Sequence, residues 1–164
     1  MSRDLTQGEP APERGGAHTY VGDVTWEYAP ELDDEPDPGE IVWTWVAFEE
    51  DDHLGKDRPV AIIGRADDHR LVGLQPSSKD HAHDRTWLAI GAGPWDREGR
   101  PSWLRRDRLL AVAPRAVRRE GAVLPRTTYD AVLSAIGPRP PAQHLKQGWT
   151  LRDGFRRILG RPLP

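Results

Sequence analysis

Gly55-Lys56 is the dipeptide that ends a phosphate-binding loop, and here it runs through Asp57-Arg58-Pro59 into the β-branched stretch VAIIG. A nucleotide cradle needs G-x-x-x-x-G-K-[ST] between a strand and a helix. No glycine stands five residues before Gly55, Asp57 takes the place of the hydroxyl residue, and strand-forming residues follow. The cradle is excluded, which leaves Arg58 as the residue of interest. A second cluster, Asp80, His81, His83 and Asp84, has ligand types suited to a metal. It lacks an H-E-x-x-H or comparable scaffold, and a solvated polar loop is the commoner fate of such a run. Asp51 and Asp52 beside His53 share that weakness, so no metal and no cofactor are expected. Trp95, in the Gly- and Pro-rich stretch GAGPWDREG, is a candidate for exposure and for stacking on a nucleobase. Trp43 and Trp45 alternate along an apolar run and read as core.

These residues need elements to hold them. EIVWTWVAF (40–48) alternates Ile41, Trp43, Trp45 and Ala47 on one face with Val42, Val46 and Phe48 on the other, so both faces of the strand require cover. PVAIIGR (59–65) reads as a second buried strand, with Pro59 at its first position where a missing donor is tolerated. RADDHR is a hairpin connection, LVGLQ a third strand and PSSKDHAHD a loop. TWLAIG and RLLAVA give two more short strands, with the loop GAGPWDREGRPS between them. Helical signals come late. APRAVRRE suggests a short turn of helix starting near Pro114. TTYDAVLSAIG puts Tyr129, Val132, Leu133 and Ile136 on one stripe before Gly137. TLRDGFRRILG suggests a short amphipathic helix after the Pro-rich break PRPPAQ.

The chain has 164 residues, enough for one compact domain of roughly 100 residues with appendages. It has no cysteine, which excludes disulfides, thiol nucleophiles and cysteine-zinc sites. No apolar run approaches the roughly 20 residues that span a bilayer. The polar N-terminus has no signal-peptide pattern, so a cytoplasmic protein without membrane contact is expected. Charge is unevenly spread. Residues 1–54 hold 15 Asp/Glu against 2 Lys/Arg, and residues 55–164 hold 21 Lys/Arg against 11 Asp/Glu. A basic portion of that kind suits a polyanion. Pro, Gly and acid dominate residues 1–37, read as an acidic and mostly irregular extension that could lie over a basic groove and inhibit it. The expected division is this extension, a barrel domain over 38–137, and a Pro-rich linker with a short helix over 138–164. Short strands followed by helices, without βαβ alternation, indicate an α+β, mainly β, barrel-like domain.

PGEIVWTW, GKDRPVAIIGR, LQPSSKDH and RRDRLLAV, in this order, resemble the MazF/PemK family of toxins from bacterial type II toxin–antitoxin pairs, in an actinobacterial-type branch. The resemblance covers about residues 38–137. It implies an SH3-like barrel with C-terminal helices, usually homodimeric. It further implies a metal-independent endoribonuclease that cuts single-stranded RNA at short sequences and is neutralised by an antitoxin. By the same resemblance Arg58 matches the active-site arginine of the R-P motif, and Ser77 takes the place of the active-site threonine. Arg105-Arg106-Asp107 matches an R-x-D that supplies an acid and a base, and His53 lies in a loop that carries a histidine. Pro76 replaces the usual apolar residue before the serines.

RNA is cleaved without metal when its 2′-hydroxyl attacks the adjacent phosphate. The step needs a base, positive charge on the phosphorane-like transition state, and an acid for the leaving oxygen. Asp107 suits the base, Arg58 the phosphate fork, and Arg105 charge stabilisation. An arginine is a poor acid because its pKa exceeds about 12, so His53 or His81 is the substitute. Lys56, Ser78, Lys79, His81 and Trp95 complete the expected RNA contacts. The residues leave open a second class, a non-catalytic barrel that acts by protein–protein interference like gyrase-poisoning relatives, or an inactive member.

Overall fold

The computed structural model describes residues 8–31 and 33–137. The expected linker and last helix, over 138–164, lie outside them. The chain divides into two compact units, Met1–Tyr129 and Asp130–Pro164. The first contains every strand among the described residues: β1 (Glu9–Pro10), β2 (Ala17–Thr19), β3 (Thr25–Trp26), β4 (Glu40–Ala47), β5 (Leu54–Arg65), β6 (Leu71–Leu74), β7 (Pro76–Ser77), β8 (Trp87–Gly91), β9 (Ser102–Arg105), β10 (Leu110–Val112) and β11 (Arg119–Val123). A 3₁₀ turn at Pro114–Ala116 follows β10, and α1 (Arg126–Ile136) follows β11, its later residues belonging to the second unit. No helix among the described residues is long and apolar enough to cross a membrane.

Strands β4, β5, β6, β10 and β2 form a closed ring: four antiparallel pairings, and one parallel pairing of β2 with β4 through Ala17 and Val46. The result is a five-stranded barrel with a C-terminal helix, the mainly-β, α+β architecture expected. Its interior is packed by Ala17, Val42, Val46, Val60, Ile62, Leu71, Leu110 and Val112. These are the inward positions of the period-2 alternation.

The N-terminal segment differs from expectation in one respect. It is largely irregular, but its residues 17–19 are a barrel strand. A Cβ on Gly16 would collide with the Trp45 ring and carbonyl, so glycine lets this strand approach β4. Trp45 is covered on the outer face of β4, and its indole Nε1 donates to the Glu9 carbonyl at 2.9 Å. The acidic stretch that follows docks well away from Arg58. Arg65 pairs with Glu27 and Asp37, both at 3.4 Å, and the fully buried Glu40 carboxylate accepts the Glu31 and Asp37 amides. Seven residues of strand separate Arg65 from Arg58, roughly 23 Å. That stretch therefore folds against the opposite end of β5 and does not cover the Arg58 end.

Two strand boundaries also differ. β5 begins at Leu54, so Pro59 is internal. On one edge of β5, β1 pairs only with Leu54 and Gly55 and the pairing with β6 starts at Ala61, so Pro59, whose other edge faces Trp43 of β4, lies on an unpaired stretch where its missing donor breaks no ladder bond. β9 arises from SWLR, of which only Ser102 is read from the sequence, as the end of a loop. It pairs with β7 and β8 in a three-stranded sheet beside the barrel.

The first turn of α1 is tied to the barrel by Tyr129, whose hydroxyl donates to the Ile63 carbonyl at 2.8 Å while its ring packs on Tyr28 and Trp26.

Candidate RNA-cleavage site

Lys56, Arg58, Val60 and Ile62 share one face of β5, and Val60 and Ile62 point into the packed interior. Arg58 stands where that apolar row ends, opposite Thr44 of β4, and is half-buried. Its guanidinium has no hydrogen bond or ion pair among the described residues. Arg58 in turn acts on Arg108 as a like charge. Arg108 is 6% exposed and structural: Nε donates to Thr19 Oγ1 at 2.8 Å and Nη2 to the Ala47 carbonyl at 2.9 Å. It stitches β2 to the end of β4. Burial holds its pKa below the usual arginine range.

Ser77 ends β7, where the chain leaves the barrel for the side sheet. The β5–β6 register pairs Ala61 with Leu74, and continuing it places Ser77 level with Arg58; β7 also lies against β5. In the side sheet Ser77 faces Trp103, and Trp87 faces Arg105. His81 folds back over these residues. Its Nε2 lies 3.0 Å from Ser77 Oγ, its ring stacks on Trp87 at 3.8 Å and 6°, and the Trp103 ring stands edge-on to it with the centroids 6.0 Å apart. A chain of short turns fixes the loop that carries it. Ser77 Oγ accepts from the Lys79 amide, Asp80 from the Ala82 amide, and Asp84 from both the amide and the hydroxyl of Thr86. Those Thr86 bonds, with His81 and Arg105 nearby, hold the Asp84 carboxyl below its usual range.

Arg105 and Asp107 form the expected pair. Arg105 Nε donates to Asp107 Oδ1 at 2.6 Å, and Nη2 reaches Glu49 Oε1 at 3.0 Å. The Arg105 hydrogen bond lowers the Asp107 pKa, and the Asp107 bond raises that of Arg105. Asp107 is therefore ionised at neutral pH and Arg105 remains a cation.

His53 and Trp95 make no contact with these groups among the described residues. His53 is 91% exposed on the β4–β5 loop, paired with Asp51 and Asp52 at 3.5 and 3.3 Å. This loop, Thr19 and Arg108 line an acidic groove of about 440 Å³. The acidic lining disfavours phosphate there. Trp95 is only 9% exposed, contrary to the expected open stacking surface. The loop folds back on the indole: a Cβ at Gly93 would strike the Trp95 ring, and an Asp96–Arg100 pair at 2.8 Å closes the turn. Lys56 is half-buried on β5, Ser78 half-buried after β7, and Lys79 exposed. Of the two metal candidates, Asp51, Asp52 and His53 come within ligand spacing, as do Glu31, Asp33 and Asp37, all without a further donor of unusual character. The Asp80–Asp84 run is not gathered that way among the described residues, because His81 is committed to Ser77 and Trp87.

Sequence reasoning missed Arg108, and it missed that Trp87 and Trp103 support His81. The signals were slight: Arg108 is the third arginine of RRDR, and Trp103 lies in a strand only four residues long.

A family model described as PemK-like, MazF-like toxin of type II toxin-antitoxin system matches residues 37–138. No curated protein and no solved structure matches the chain.

Proposed function

The chain belongs to the PemK-like, MazF-like toxins of type II toxin–antitoxin systems, and from that premise we propose that it is an endoribonuclease cutting single-stranded RNA without a metal, as a homodimer held by an antitoxin. The observation that carries the reading is Arg58. A half-buried guanidinium with no counter-charge beside it among the described residues is an anion site waiting for its anion.

In this reading Arg58 holds the scissile phosphate and its developing charge, with Ser77 Oγ donating to the same group. Asp107 accepts the 2′-hydroxyl proton. Its pairing with Arg105 keeps it ionised at some loss of basicity, and Arg105 adds positive charge beside it. Lys56, Ser78 and Lys79 line the approach of the strand. His53, exposed among carboxylates, is left a minor rim contact.

Purified chain incubated with a diverse single-stranded RNA pool in EDTA tests the reading. Arg58→Ala and Ser77→Ala are expected to lose at least about 100-fold in cleavage with unchanged thermal midpoints. Absence of cleavage by the unaltered chain, or normal cleavage by both variants, contradicts it.

A further inference from the structure

We propose that His81 is the general acid of this site, delivering its Nε2 proton to the leaving 5′-oxygen; this rests on the endoribonuclease reading above. The reaction needs a donor that can give up a proton near neutral pH. Arg105 cannot serve, because Asp107 and Glu49 hold its guanidinium in the charged form. His53 is exposed and paired with Asp51 and Asp52, with no contact to Ser77 among the described residues. His81 is an imidazole, the side-chain type most often used as a general acid. It is also positioned. The parallel stack on Trp87 fixes the plane of the ring, Trp103 closes one edge, and the Asp80 and Asp84 turns fix the backbone that carries it. An indole face attracts a cationic ring as well as a neutral one, so the stack is compatible with the protonated donor. Titratable groups near it are Lys79, Asp80 and His83 of its own loop, Asp84, and, beyond the Trp87–Arg105 strand pair, Arg105 and Asp107.

Nε2 lies 3.0 Å from Ser77 Oγ, the hydroxyl assigned to the scissile phosphate, so its proton stands one hydroxyl away from that phosphate, and delivery requires the ring to exchange Ser77 Oγ for the 5′-oxygen. The step balances as follows. The 2′-oxygen–phosphorus bond forms as Asp107 takes the 2′-proton. The phosphorus–5′-oxygen bond breaks as the His81 imidazolium gives up its Nε2 proton. A 2′,3′-cyclic phosphate, a 5′-hydroxyl and a neutral imidazole result, and solvent resets both side chains.

The test uses the full chain and an oligonucleotide containing a mapped cleaved linkage, made with either oxygen or bridging sulfur at the 5′ position. A leaving thiolate needs no proton. His81→Gln is expected to cleave the oxygen substrate 100- to 1,000-fold more slowly and the sulfur substrate within about tenfold of the unaltered chain. Arg58→Ala should stay impaired on both. Should the Gln variant fail to fold, His81→Ala with added imidazole is the second measurement, and restored cleavage is expected. Equal losses on both substrates, no imidazole recovery, or full activity of His81→Gln would overturn the assignment. Failure of the unaltered chain to cleave either substrate would instead overturn the endoribonuclease reading, and this inference with it.

Discussion

Arg58 and Arg108 are neighbours on the rim of one barrel with different employment. Arg108 is committed to Thr19 and the Ala47 carbonyl, while Arg58 has no such partner among the described residues. Replacing Arg108 by Ala leaves the buried Ala47 carbonyl without its donor and frees the exposed Thr19 hydroxyl to water. It should cost about 2–3 kcal/mol in a urea titration, and RNA cleavage by the folded fraction should survive. Arg58→Ala should do the reverse. Asp96 supplies a pH prediction. Arg100 hydrogen bonds pull its carboxyl to about 2 from the ordinary 3.8. A depressed acid contributes stability that is present above 3.8 and lost as pH falls toward 2. Asp96→Asn should therefore flatten the acid limb of the stability profile between about pH 4 and 2 and leave neutral pH little changed in slope. Arg58, Ser77, Arg105 and Asp107 could be nominated from the sequence because ordered motifs name them by type and spacing. The burial of Trp95 and Arg108 was not legible, since it depends on which loop folds over them, and residue type carries no record of that.

At the scale of elements, β2 decides whether the barrel closes. Removing residues 1–16 leaves Ala17–Thr19 between β10 and β4, whereas removing residues 1–24 opens the ring and strips Thr19 from Arg108. The longer deletion should abolish cooperative unfolding in a thermal melt; the shorter one should keep it. Equal melts for the two would show that β2 is dispensable. The long strands β4 and β5 were visible in the sequence because both faces are apolar over many residues. β2 and β9 were not. Three or four residues beside Gly, Pro and charge carry too little alternation, and their pairing is set by distant partners. Pro59 misplaced the start of β5 for a related reason: proline marks a gap in the ladder, and here the gap lies in mid-strand.

For the molecule as a whole, the uneven charge has a structural distribution. Part of the acidic N-terminal stretch is spent on Arg65 and another acidic run lines the groove near His53, while Arg58, Lys56 and Lys79 remain to meet a polyanion. RNA affinity should fall with salt, and Lys56→Ala and Lys79→Ala should each reduce the log–log slope by about 0.7. A slope unchanged in both variants would place the RNA elsewhere. The family supplies the toxin, and the free arginine at the end of the barrel core supplies the reason to expect cleavage of a phosphodiester. The most direct measurement is cleavage of a single-stranded RNA pool in EDTA by the full chain, with Arg58→Ala alongside. The account predicts cleavage at a short recurring sequence that leaves 2′,3′-cyclic phosphate ends and is lost in Arg58→Ala. Intact RNA, or the same cuts made by Arg58→Ala, would contradict it.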